Sequence, residues 1–587
     1  MLRRLSLILW VCFASRAVLA VDIHSVLLPR MPAKAPTPPA LRLAESVSVA
    51  PLAVLRAASA GAADALDAIT AWNRSGSKPA KNGFARPLPL PTPVRFTSDL
   101  LTRQPGRLAG GALLVPPSGG VVWGAEARVE GSHRLRLHLS QVRLPKGTRL
   151  WVYGEGDEEV SVAAEDVTFA GELWTPSVGG PAIRLEVRLP EEGLDGARFT
   201  IDQVLETFEL DAKGAPRLGP AAQKVDDSCL RDAACYDDSN LSTMELFKRA
   251  VAYLEYVSNG QSFGCTGALL NDTDDSTTIP YLLTSHECFA TQAEAATLEA
   301  FFDDIDAGCG GPAPDLKTLP RTTGSTLLAT SDTSGSTFVR LTSLPPGRGL
   351  LGSTSEPVAA GTVLHSLAHS LNRAQGYSVA TMTASSPACP GLPRPDFLYS
   401  DLSLGDHLAG SGGAPVVRSS DGKLVGQAWG TCGPVGQEGQ GCDRANLEVD
   451  GAFSQAWPVL APYLAPETAG VFTCAPIATA LCLNQGRFKV EATFDTGTQS
   501  GQAQVVKLTD ETGYLWFFSA ANVEAVVKVL DACTFNQKFW VFAGGLTDVQ
   551  VRLTVTDAKT GAVKTYDNPR GAAFQPILDT SAFATCP

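Results

Sequence analysis

The stretch YLLTSHECF, Tyr281–Phe289, decides how this chain is read. Tyr-Leu-Leu-Thr suits a buried strand, and that strand runs directly into His-Glu-Cys. An imidazole, a carboxylate and a thiol therefore stand side by side at the strand's end. The order matters: Glu287 occupies the place immediately before Cys288, and His286 stands one residue early.

The bulk numbers set the frame for this stretch. At 587 residues the chain is too long for one hydrophobic core, so two to four domains are expected. Hydrophobic residues make up 44% and charged residues 18%, an ordinary soluble composition. Fifty-five glycines and forty prolines, among runs of Val and Thr, favour short strands and turns. A formal net charge of -13 argues against nucleic acid or an anionic membrane as partner. MLRRLSLILWVCFASRAVLA, ending at Ala20, has the pattern of a signal peptide, too short in its apolar part for an ordinary membrane span. No later segment is long and apolar enough to cross a bilayer, so the mature chain is expected to be exported. Twelve cysteines remain once Cys12 leaves with the signal, an even number that reads as disulfides in an exported protein. None lies in 21–228, which suggests separate folding units before and after that point.

Residues 21–94, rich in Ala and Pro, read as an irregular or partly helical leader. Residues 95–213 read as a small β domain, because HRLRLHLSQVRL and AIRLEVRL alternate with the period of half-buried strands. The stretch 214–228 reads as a linker with Arg217 and Lys224 as cleavable residues. Residues 229–464 form the next unit, with a helix expected near STMELFKRAVAYLEYV, and a second linker around APETAGVF follows. The last unit, 474–587, is strand-like, with a hairpin turn at Lys559–Gly561.

FGCTGALLND (263–272), YLLTSHEC, DDSCLRDAACYD, PACPGLPRPDFLYSDLSLGDHLAGSGGAPVV and KLVGQAWGTCGPVGQEGQGCDRANLEVDGAFSQAW together resemble the trypsin-like serine endopeptidases of the lysyl endopeptidase type. GELWTPSVGGPAIRLEVRLP (171–190) is similar to the propeptide region of such precursors. The resemblance covers most of 165–464. It implies a mainly β fold: a chymotrypsin-like pair of six-stranded barrels with a site in the cleft between them. A β-rich propeptide-like domain would precede the barrels and a β-sandwich module would follow. It also implies bridges Cys265–Cys288 and Cys235–Cys309.

A peptide-cutting site of this kind needs a nucleophile, a base and a carboxylate that orients the base. Glu287 stands where the family has its histidine. His286, one residue away on a short helical or turn segment, is rotated by about 100° from that direction. Glutamate, with an ordinary pKa of about 4.3, suits serine activation poorly. The family's G-S-S-G-S-P turn aligns without a gap on Gly410–Pro415, which puts Gly412 in the reactive place. The other alignment makes Ser411 reactive, at the cost of inserting Ala414 into the tightest part of the turn. The family's aspartate aligns with Gly335, and Asp332 lies three residues earlier. The leading expectation is thus a secreted protease homologue that binds a peptide or protein in its cleft without cutting. The rival is an endopeptidase with a shifted site built from His286, Ser411 and Asp332. A third reading has the last module binding a surface or matrix. No motif calls for a cofactor, and the oligomeric state is left open. His365 and His369, four apart, share a face only on a helix and lack the glutamate of a zinc motif. The aromatic runs Trp516–Phe518 and Phe539–Phe542 are expected in the sandwich core rather than on a sugar-stacking face.

Overall fold

A two-residue hairpin sets the first barrel in place. Strand Val251–Ser258 turns back through Asn259 and Gly260 into strand Gln261–Leu270, with Ser258 opposite Gln261. Both turn residues have positive φ, +50° and +70°, which Asn-Gly adopts readily and which matches the twist of the flanking strands. The helix expected across STMELFKRAVAYLEYV is therefore short. It spans Met244–Ala250, and Val251 begins a strand whose apolar residues are buried between neighbours on both sides.

The structure is a computed structural model. It describes residues 20–30, 39–46, 50–56, 63–74, 79–156, 158–211, 214–216, 229–274, 277–384, 389–433, 446–466, 474, 478–484 and 486–586. The expected signal peptide, apart from Ala20, and residues 217–228 of the expected linker lie outside these, as does Cys442.

The first barrel runs in the order Arg321–Thr323, Glu299–Phe302, Val251–Ser258, Gln261–Leu270, Tyr281–Ser285, Ser336–Leu341, Ser325–Ser331. The two outermost segments, Arg321–Thr323 and Ser325–Ser331, are separated only by Gly324 and are halves of one bent strand, so the barrel counts six strands, as the resemblance implied. The second barrel is closed: Gly376–Met382, Val363–Ala368, Pro415–Arg418, Leu424–Cys432, Leu447–Ala452 and Phe397–Leu404 form a ring, the last pairing back onto the first. Helix Phe453–Leu464 packs Phe453, Ala456, Leu460 and Leu464 into the core at its back.

The N-terminal unit is a sandwich of two sheets around Trp123, Leu137, Leu185, Phe199 and Val204. Its long strand Ala80–Arg95 pairs with Arg198–Thr207. The boundary expected at 94/95 thus falls inside a strand, and residues 80–94 belong to the β unit. Helix Ala63–Arg74 precedes that strand. The C-terminal module holds two five-stranded sheets around Phe488, Val527, Phe539 and Val555. Strands Gln550–Asp557 and Val563–Asn568 form its hairpin across Lys559–Gly561. The aromatic runs divide between its two faces. Phe517 and Phe539 are core, whereas Trp516, Trp540 and Phe542 face outward, because successive strand residues alternate sides.

Cystine bridges join Cys235–Cys309, Cys265–Cys288, Cys389–Cys432, Cys474–Cys482 and Cys533–Cys586. The second of these ties the strand ending at Ser285 to its neighbour across 23 residues. Replacing Cys265 and Cys288 together by Ala is expected to lower unfolding stability by about 3 kcal/mol, since closing a loop of that length constrains the unfolded chain by roughly that amount. Chemical denaturation of the double variant checks it.

Candidate functional site in the cleft between the barrels

Turn Gly410–Pro415 leads into strand Pro415–Arg418 of the second barrel and presses against the first. The Thr266 amide donates to the Gly412 carbonyl at 3.0 Å, and the Thr266 hydroxyl donates to the Gly410 carbonyl at 3.0 Å. On the other side Gly413 N–H donates to Ala428 O at 2.8 Å. Gly413 has φ +83°, and a Cβ there would overlap Thr284 Oγ1 and Thr266 O, so glycine is required. The N–H of Ser411 is taken by Leu408 O at 3.0 Å. Those of Gly410 and Gly412, both buried, make no hydrogen bond among the described residues.

The side chains around this turn do not converge on it. Ser411 is buried, and its hydroxyl shares a 2.6 Å hydrogen bond with the Ser370 hydroxyl. Ring atom Nδ1 of His286 lies 2.9 Å from Thr330 Oγ1, and the His286 amide donates to Gly335 O at 3.0 Å. Glu287 is exposed, with its amide 3.3 Å from Ser285 Oγ. Ser411 and His286 thus engage different partners and form no hydrogen bond with each other. Asp332 is exposed beside Thr333, and its carbonyl accepts from Gly335 N–H at 3.2 Å. Gly335 itself has φ +60°, and a Cβ there would stand 2.9 Å from Trp429 Cδ1 and 3.1 Å from Phe397 Cε1. The indole and the phenyl ring occupy the space into which an orienting carboxylate would project.

A cluster absent from the sequence reading lies beside the turn. A small pocket with room for about one water molecule is lined by His365, Ser366, Ser378, His407, Glu448 and Asp450, among others. His407 Nδ1 is 3.1 Å from Glu448 Oε2, and its Nε2 is 3.0 Å from Ser378 Oγ. Burial works against protonation of His407, but the charge and hydrogen bond of Glu448, with Asp450 and Asp406, outweigh it and push the imidazole up to about 9. Burial, together with the neighbouring Glu448 charge, pushes Asp450 up to about 7. The signal in the sequence was LEVDGA: two carboxylates two residues apart on an apolar strand share one face, which here points inward. His365 sits on a strand, not a helix, with Nδ1 on Tyr377 OH at 2.5 Å, and His369 gives Nδ1 to Arg373 O at 2.8 Å. No group of three His, Cys, Asp or Glu side chains among the described residues is arranged to hold a metal ion.

Comparison with known proteins adds the following. The family model described as lysyl endopeptidase, C-terminal domain, matches residues 224–441, and that described as lysyl endopeptidase N-terminal domain matches 119–204. A lysyl endopeptidase of Pseudomonas aeruginosa is 26% identical over 341 residues, covering 57% of this chain and 72% of that protein. Among solved structures, the Rv3671c protease from M. tuberculosis in its active form matches with TM-score 0.27 and 14% identity, over 42% of this chain and 93% of that one. Its inactive form matches with TM-score 0.26 and 13% identity, over 42% and 100%.

The buried cluster makes stability depend on pH. His407 holds its proton more tightly folded than unfolded. Its stabilisation is therefore complete below about pH 6.5 and lost as pH rises through about 9, amounting to roughly 3 kcal/mol in total. Asp450 acts in the same direction at lower pH: folded, it keeps its proton to about 7, whereas unfolded it ionises from 3.8, so rising pH favours unfolding across that window. Thermal melts should show the midpoint falling between pH 6.5 and 9, and His407→Asn should flatten that slope.

Proposed function

We propose, from the premise that the chain belongs to the lysyl endopeptidase-type serine protease family, that it is an exported member that binds peptide and does not cut it. One observation carries this reading: at the turn where the nucleophile is expected stands Gly412, and the adjacent hydroxyl, Ser411, is buried against Ser370. Glu287 before Cys288 and the filled space at Gly335 agree with it. The double-barrel architecture, with a cleft between its two barrels, supports a retained capacity to bind a peptide. Bridged cysteines in every unit from 229 onward, and the signal-like first twenty residues, support export. No helix among the described residues is long and apolar enough to cross a membrane.

The rival, a shifted catalytic site at His286 and Ser411, requires both side chains to leave their present partners. Binding through the last module is a second reading, favoured by the outward-facing Trp540 and the exposed Phe535 and Phe518.

A fluorophosphonate probe should leave the protein unmodified at a concentration that labels an active serine protease to completion. Stoichiometric labelling that disappears in Ser411→Ala would overturn the reading. Restoring a carboxylate is also expected to fail: Gly335→Asp should lower stability by about 1–3 kcal/mol, through crowding against Trp429 and Phe397 at a left-handed backbone position. A denaturation curve of that variant measures the loss.

A further inference from the structure

The N-terminal unit touches the barrels in three separate places. The first is an edge. Strand Ala80–Arg95 hydrogen-bonds along Gln261–Leu270 of the first barrel, with Phe84 opposite Gln261, Gly83 opposite Ser262 and Ala80 opposite Gly264. The sheet of the N-terminal unit and that of the first barrel are therefore one continuous sheet. Asn82 Nδ2 donates to Tyr253 OH at 3.2 Å, and Ala85 N–H donates to Gly260 O at 2.7 Å. Helix Ala63–Arg74 lies over this junction: Ile69, Ala80, Phe84, Phe208 and Leu210 form a buried cluster against which Ala409 of the turn packs. Trp72 packs against Phe263 with ring centres 5.6 Å apart and planes tilted by 56°.

The second place is the start of the chain. Residues 21–28 run antiparallel to 348–355, the segment crossing between the barrels. Ile23 N–H donates to Ser353 O at 2.8 Å, Ser355 N–H to Val21 O at 3.1 Å and Leu28 N–H to Arg348 O at 2.9 Å. Ile23 is 1% exposed inside the barrel core, and a Cβ on Gly352 would overlap the backbone of Ile23 and His24. The third place is ionic. Fully buried Arg136 donates to Thr297 O at 2.8 Å and lies 3.8 Å from Glu299 of the barrel. Arg321 of the barrel pairs with Glu158 at 3.0 Å. Burial alone raises the Glu299 carboxyl, but Arg136, Arg321 and Arg134 outweigh it and hold it below the ordinary carboxylate value.

We infer that the N-terminal unit is a permanent subunit of the barrels: cutting the chain within 217–228 leaves residues 21–216 bound, with Ala80 and the helix cluster still packed against Ala409 and Gly410. A segment meant to leave is not expected to supply a core residue such as Ile23 and a strand in a shared sheet. The side of the turn at Ala409 and Gly410 is thus occupied by this chain itself.

The test inserts a recognition sequence for a site-specific protease between Leu218 and Lys224 of the full chain. After complete cutting at neutral pH, both pieces are expected to co-elute in size exclusion at the volume of the uncut protein. Amide hydrogen exchange in 80–84 and 261–264 is expected to stay within twofold of the uncut rate. Because an inserted sequence can impair folding, the native chain nicked at Arg217 or Lys224 by a trace of trypsin-like enzyme is run alongside and should behave the same. Elution of the N-terminal piece as a separate peak, or exchange at 261–264 accelerating more than tenfold on cutting, would overturn the inference.

Discussion

Thr266 is the residue on which the relation between the two barrels rests. It follows the bridged Cys265 on a strand of the first barrel and is fully buried. Its N–H donates to Gly412 O, its hydroxyl donates to Gly410 O and accepts from the His369 amide at 2.9 Å, and its carbonyl accepts the Thr284 hydroxyl at 2.7 Å. Every polar group of this residue is used, and three of its four hydrogen bonds cross to the second barrel. In a dry interface an unmade bond costs the full desolvation of the group, so this set permits one placement of the turn. Gly413 enforces the same placement sterically.

None of those contacts involves a side chain at 412. The turn is held by backbone carbonyls and by glycines, so its shape does not depend on a reactive hydroxyl. A fold of this kind holds its cleft with or without a reactive hydroxyl, because the groups that build it and the groups that would react are different atoms. Gly335 shows the complementary effect. With no side chain there, Trp429 and Phe397 move into contact range of the bare backbone, and the interior closes to ordinary packing. Glycine at 412 fits the geometry of the turn, and glycine at 335 is built into the packing around it.

How much was legible in the sequence follows from how local each signal is. The bridge between Cys265 and Cys288 could be anticipated because each cysteine sits in a short stretch whose flanks carry the resemblance. AIRLEVRL could be read as a strand because alternation is local, and it forms Ala182–Leu189. The Asn259–Gly260 hairpin was equally local but was overridden by the helical look of MELFKRA, which continues into β-branched and aromatic residues that pair instead. The aromatic runs could not be divided without knowing which face was covered. The His407–Glu448–Asp450 cluster joins residues some forty positions apart, and pairing of that reach leaves no periodic trace. The entry of Ile23 into a core more than two hundred residues away leaves even less, which is why 21–94 looked like a leader.

The three contacts between the N-terminal unit and the barrels have different physical roles. Arg136, Glu299, Arg321 and Glu158 give up most of their hydration in the interface, and on separation water would return to them. Ion pairs buried in this way roughly balance their desolvation and so do little to hold two bodies together. What they exclude is any other fit, since a shifted register would leave Arg136 buried beside no carboxylate. The holding is done by what water replaces badly: Ile23, Phe84 and Trp72 against apolar neighbours, and ladder bonds whose loss would leave the edge of Gln261–Leu270 bare. The ions, on strands Glu299–Phe302 and Arg321–Thr323, choose the arrangement, and the apolar contacts along Gln261–Leu270 maintain it, which keeps Ala80 against Gly410.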